Sequence, residues 1–124
     1  DIVQRYRARS VTAGNTPRVG FPTYLHVART SQEARARFKP RFEQYLSFAK
    51  STRTGFGRPM DFESLLEGPV VCGSPAEVAE RICDINDVLN LDRQMFLIDA
   101  GGVPDDVVAD VIDLMGSSVL PIVR

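Results

Sequence analysis

The chain has 124 residues, 44% of them hydrophobic, and 15 Lys and Arg against 16 Asp and Glu leave a net charge of −1. That length admits at most one ordinary domain, the apolar fraction suffices for a core, and the balanced charge gives no electrostatic case for nucleic acid. No apolar run reaches membrane-spanning length, nothing at the start reads as a signal peptide, and Cys72 and Cys83 are too few for a disulfide framework or a zinc site, so a reduced, cytoplasmic setting is expected.

Asp1 to Val11 reads as the tail of an amphipathic helix, stopped by Gly14-Asn15 with Pro17 just after. A start of this kind, without Met and already inside a helix, leads us to expect a piece of something larger. Val19 to Ala28 follows as a strand, rich in Val, Phe, Thr, Tyr and Leu. Pro22 argues against a central position for the first half of that strand, because proline cannot donate to a ladder.

Thr30-Ser31-Gln32-Glu33 is a capping-box pattern that predicts a helix from Ser31 to about Ala49. Phe38, Phe42, Tyr45, Leu46 and Ala49 make its apolar stripe, and Pro40 should kink or split it. Lys50 to Pro69 is the longest irregular stretch, with a short helical turn over Asp61 to Leu66. Its glycines and its two arginines, Arg53 and Arg58, suit an anion-friendly lid; a solvated connector is the plainer reading.

From Val70 onward the pattern is strand, capped helix, strand, capped helix, with glycine at each turn. Val70-Val71-Cys72 runs into Gly73-Ser74-Pro75-Ala76-Glu77, which combines an N-cap Ser, Pro at the first helical position and Glu at the third. Val78, Ile82, Ile85 and Leu89 line one face of that helix, and Asn90 suits its C-cap. Met95 to Ile98 is apolar at every position, which predicts a strand covered on both faces. The last helix places Val107, Val108, Val111, Ile112 and Met115 on one side, and Pro121 should end any continuation. Consecutive βα units of this kind imply an α/β fold with parallel strands, whose ligands gather beyond the carboxyl ends of the strands.

The residues able to carry chemistry are few. His26, the only histidine, lies near the end of the first strand; it serves a site or simply packs, and no partner can be assigned to it. Gly73 and Ser74 sit at a helix N-terminus, where free amides suit a phosphate, although Ser74 can equally cap its own helix. Gly101 and Gly102 allow a ligand close to the backbone or make an ordinary turn. Asp99 can accept a hydrogen bond from a substrate or cofactor, or pair or cap locally. Arg58 can meet an anion or stay solvated. Cys72 and Cys83 read as small buried apolar groups. No dinucleotide fingerprint, Walker A motif or nucleophile elbow is present.

The segment Gly73-Ser74-Pro75-Ala76-Glu77-Val78-Ala79-Glu80-Arg81-Ile82, then Phe96-Leu97-Ile98-Asp99-Ala100-Gly101-Gly102, then a helix ending Val119-Leu120-Pro121, resembles the C-terminal end of the bacterial luciferase-like monooxygenases. Tyr6-Arg7-Ala8-Arg9 resembles the helix before that family's sixth strand, and Tyr24 to Arg35 resembles the strand and the start of its helix. Arg41 to Leu46 after Pro40 also fits. The resemblance implies that residues 1–124 are a single partial domain, the last three βα units of a (β/α)8 barrel, with 50–69 a long loop at the active site. It implies reduced flavin mononucleotide (FMN) as cofactor, or a deazaflavin in a sister branch, and a small-molecule substrate. It points to Gly73, Ser74, Gly101 and Gly102 on the cofactor side and to His26, Arg58 and Asp99 on the substrate side. The first five strands, which carry most of the flavin contacts in that family, are not in this chain, so inactivity alone and pairing with the missing N-terminal part or with a second copy are expected. Two other readings stand beside this one. The first is a non-catalytic βα module for assembly or regulation, and the second an anion-binding domain of another family resting on the Gly-Ser turn.

Overall fold

The computed structural model describes residues 1–51 and 61–123. Arg53 and Arg58 lie outside the described residues. The chain begins with helix α1 (Ile2–Thr12), capped by the Asp1 carboxylate on the Val3 amide. Arg7 reaches from this helix to the carbonyls of Leu89 and Asn90.

Strand β1 (Gly20–Val27) leads to helix α2 (Ser31–Ser51), the short helix α3 (Phe62–Leu66) and strand β2 (Val70–Gly73). Helix α4 (Pro75–Leu89), strand β3 (Arg93–Leu97) and helix α5 (Asp105–Leu114) follow. A π-helical turn over Met115–Val119 and helix α6 (Leu120–Val123) complete the described chain.

Among the described residues the strands form one all-parallel sheet in the order β2-β1-β3. Consecutive strands of a singly wound barrel are neighbours, which would place β2 in the middle. Here β1 is central, because β2 pairs with its C-terminal half (Tyr24 to Val27) and β3 with its N-terminal half (Gly20 to Tyr24). The two crossovers therefore run in opposite directions across the sheet, and right-handed connections then put their helices on opposite faces.

The packing follows. Leu25, Val27 and Val71 face α4, α5 and the π turn in a cluster with Val78, Ile82, Ile85, Val111 and Val119. Tyr24, His26, Val70 and Cys72 face the other way, where Phe38 and Phe42 of α2 and Phe62 and Leu65 of α3 cover Val70, Cys72 and Ala28.

Pro22 is tolerated in the central strand for a reason visible in the register. Tyr24 donates its N–H to Pro69 on the β2 side. Two residues earlier the backbone points the same way, and β2 pairing begins only at Tyr24. The missing donor of Pro22 thus costs no ladder bond. Asp92 ties the strand starts together by accepting from the Val19 N–H at 2.7 Å.

Four expectations are corrected. Met95 and Leu97 are 43% exposed, so β3 is covered on one face only. Its register partners Pro22 and Tyr24 lie on the α2 side of the sheet, and α2 and α3 sit over β1 and β2. Helix α2 is not split at Pro40 but runs through it as one helix. Pro40 is exposed there, on the solvent side, where the carbonyl left without its N–H partner can turn toward water. Pro121 does not end the last helix. Leu120 donates to Met115 across the wide π turn, and Pro121 then lies at the start of a new helical segment, where a missing N–H is tolerated. Ile112, placed on the buried side by periodicity, is 55% exposed.

Candidate functional site

In an open parallel sheet the strand whose neighbours are connected on opposite faces marks a crevice at its carboxyl end. The chain leaves β1 toward α2 on one face and leaves β3 toward α5 on the other. A cavity of about 440 Å³ opens at this point. His26 from the end of β1 lines it. So do Ala36, Arg37, Pro40, Arg41 and Gln44 from α2, with Val103 and Val107 from the segment after β3.

His26 is 1% exposed, and its ring lies flat against Phe38 at 5.2 Å between centroids. Neither ring nitrogen has a hydrogen-bond partner. Burial pushes the imidazole down to about 4, with Arg37 and Arg41 adding to the shift and Glu33 opposing it. The ring is therefore neutral at physiological pH, with one donor and one acceptor nitrogen. Cys72 is its register partner on β2. Burial pushes that thiol up to about 12, so both groups are neutral and no thiolate–imidazolium pair exists.

The two arginines differ. Arg37 pairs with Glu33 at 2.6 Å, one turn back on α2. Glu33 is thereby drawn forward, and the first turn keeps only the Thr30 hydroxyl accepting from the Glu33 N–H. Arg41 has no carboxylate partner among the described residues. It donates to the Gly102 carbonyl at 2.8 Å, which fastens the turn after β3 to α2.

The structure explains the Gly101-Gly102 pair through this contact. Both have positive φ, +82 and +69. A side chain on Gly101 would sit 2.4 Å from the Arg41 carbonyl oxygen, whereas the Gly102 α-carbon faces open space. Gly101 is needed for helix approach, whereas at Gly102 only the positive φ favours glycine. Asp99 is exposed, and its carbonyl closes the turn by accepting from the Gly102 N–H.

Gly73 and Ser74 stand apart from the cavity. The Ser74 N–H donates to Glu77 at 2.9 Å, the Ser74 hydroxyl accepts from the Glu77 N–H, and the Ser31 hydroxyl donates to the same carboxylate. These bonds hold Glu77 below the usual carboxylate range, the Ser31 contact most of all. A phosphate at this turn has to displace a carboxylate already seated there.

Of the residues singled out from the sequence, His26 lines the cavity; the Gly101-Gly102 turn is tied to it through the Arg41 contact and leads into the lining residue Val103, and Gly73 and Ser74 lie outside. Reading the sequence missed Arg37, Arg41 and Gln44, although their spacing of four and three on one helix face was visible. Among the described residues no cluster of His, Cys, Asp and Glu could hold a metal ion, and no helix is long and apolar enough to cross a membrane.

No family model matches the chain, and no curated protein matches it. Solved structures do. Monooxygenase RslO1 from Streptomyces bottropensis superposes with a TM-score of 0.78 and 22% identity over 96% of this chain. The chain has the fold of a segment of a monooxygenase. A second structure is the oxygenating constituent of 3,6-diketocamphane monooxygenase from Pseudomonas putida, a type II Baeyer–Villiger monooxygenase in complex with FMN. It matches with a TM-score of 0.69 and 21% identity over 98% of this chain. Both matches are a likeness of fold, and that likeness agrees with the fold that the resemblance implied. The chain spans 36% and 39% of the lengths of these two proteins.

Proposed function

We propose that this chain is the C-terminal portion of a luciferase-like, flavin-dependent monooxygenase, contributing three βα units to a (β/α)8 barrel. The observation that carries the reading is the superposition on RslO1, which covers nearly all of this chain and about a third of the other protein. The resemblance of Gly73 to Ile82 and of Phe96 to Gly102 supports the C-terminal placement.

FMN, or a deazaflavin coenzyme in its place, supplies the redox chemistry when bound. The residues of this chain do not make a phosphate site at Gly73 and Ser74, since Glu77 holds the Ser74 amide. The flavin phosphate is therefore assigned to the remainder of the barrel. Gly102, open on its α-carbon side, and the Gly101 turn that positions it face the cofactor. His26 and Asp99 are assigned to the substrate side, together with Arg58. The chain pairs with the rest of the barrel and acts on a small molecule only in that assembly.

The test compares two proteins by absorbance titration with FMN and with a deazaflavin. The protein translated from the longer reading frame should bind one of them tightly, and the 124-residue chain should bind neither. Tight binding by the chain alone, or by neither protein, overturns the proposal. A structure of the longer protein in which β1 still lies between β2 and β3 would overturn the barrel in favour of a doubly wound sheet.

A second reading, a non-catalytic module that pairs through its sheet, is favoured by one observation. Strand β3 is an edge strand carrying Met95 and Leu97 in the open. Sedimentation decides it: a monomer at high concentration excludes pairing.

A further inference from the structure

We propose that the cavity between α2 and the turn after β3 binds a small oxyanion, a carboxylate or phosphate group, through Arg41, Gln44 and the ring of His26. The inference adds a ligand class to the substrate-side placement of His26. It needs no flavin, because binding to this chain alone tests it.

The first support is the unmet demand of His26. Leaving a buried polar atom without a partner is costly, and native structures leave few of them. Both His26 nitrogens are in that state, on a residue that lines the cavity. Phe38 covers one face of the ring, and none of the residues around the cavity reaches the nitrogens.

The second support is the sign of the field. Two guanidinium groups line the cavity and no carboxylate does. The acidic groups of this region are segregated into an adjoining cavity of about 550 Å³, where Glu33, Asp110 and Asp113 lie. Arg37 stands in the shared wall, already paired with Glu33. The unneutralised charge is that of Arg41, whose planar fork keeps donors beyond the one given to Gly102. Gln44, one turn further along α2, adds an amide at the exposed rim. The neutral imidazole donates one N–H without bringing a charge that burial would penalise.

The third support is position. The cavity lies at the carboxyl end of β1, the end at which parallel strands carry their ligands in barrels and open sheets alike. Its volume of about 440 Å³ suits a small molecule.

His26 is the only histidine, so a histidine-labelled sample gives one imidazole signal in NMR. Sodium acetate and sodium phosphate are titrated separately into the chain at pH 7, with sodium chloride at matched ionic strength as control. The expected result is a saturable shift with acetate, phosphate or both, absent with chloride; the stronger of the two identifies a carboxylate or a phosphate ligand. Gln44→Ala, a rim substitution that leaves the core intact, and Arg41→Lys, which keeps the charge but loses the fork, should each weaken binding about threefold to tenfold. A linear response equal to that of chloride, or saturation unchanged in both variants, overturns the proposal.

Discussion

The two faces of the sheet are built on different principles. The α4 face is aliphatic and closed. Leu25, Val27, Val71, Val78, Ile82 and Val111 interdigitate, and among the described residues no buried side-chain histidine or carboxylate interrupts them. The α2 face is aromatic and only partly closed. Phe38, Phe42 and Phe62 stack edge and face on one another, His26 lies against them without a hydrogen-bond partner, and Met95 and Leu97 stand in the open beyond the reach of α2. One face holds the fold together; the other accepts local cost where the cavity opens. A fully satisfied, close-packed face has no room for a ligand, so a site has to sit where packing is incomplete.

The sharpest way to break this contrast is to truncate a side chain on each face. Phe38→Ala should destabilise by about 3–5 kcal/mol, and Leu25→Ala by about 2–4 kcal/mol, both read from urea unfolding at unchanged slope. Phe38→Ala should in addition move the His26 imidazole signal, because it strips the ring of its cover; Leu25→Ala should leave that signal in place.

Next in size is the turn that shuts the cavity. Gly101→Ala meets both a positive φ and the Arg41 carbonyl at 2.4 Å, and the clash is with backbone. A loss of about 2–3 kcal/mol is expected, whereas Gly102→Ala, with strain but no clash, should lose only about 1 kcal/mol. Equal losses at the two positions would show that Gly101 does not hold the turn against α2.

The pH dependence probes the α2 face alone. The folded His26 titrates near 4, below its unfolded value of 6.5. Between those values the unfolded chain binds more protons, so stability falls as the solution is acidified. The contribution is complete above about pH 6.5 and is lost progressively toward pH 4. It should amount to roughly 2 kcal/mol, somewhat below the full value of the shift because the ring borders an open cavity. His26→Gln should flatten this part of the profile, leaving the carboxylate titrations at lower pH.

The smallest effects lie at the periphery. Ser74→Ala should cost about 1 kcal/mol through the lost cap of α4. Leu97→Lys should change the stability of a monomer by about 0.5 kcal/mol or less, yet it should abolish any pairing through β3. An unchanged sedimentation profile in that variant would remove the edge strand from consideration as a contact.

Much of the fold could be read from residue order alone. Ser74 and Glu77 make their capping box, Asn90 takes the left-handed C-cap at φ +48, and Asp61 caps the short helix before β2. These are interactions within a few residues, and local sequence carries them. The burial of β3 was misread because cover on both faces is a property of neighbours, and α2 does not extend over Met95 and Leu97. The site was half legible. A lone histidine at a strand end and a glycine pair after another strand were both singled out, but their convergence depends on β1 being the central strand.

The amino-acid order by itself determined the alternation of helices and parallel strands, the capped ends of α3 and α4 and the aromatic stripe of α2, because caps, periodicity and turn residues act over short distances. Only the tertiary structure decided that β3 pairs with β1 and that the helices divide between two faces. It also decided that Arg41, Gln44 and His26 share one cavity. Those outcomes rest on which strand edges and helix faces meet across 60 and more residues of chain, as Thr23 and Phe96 do, and no local pattern encodes them.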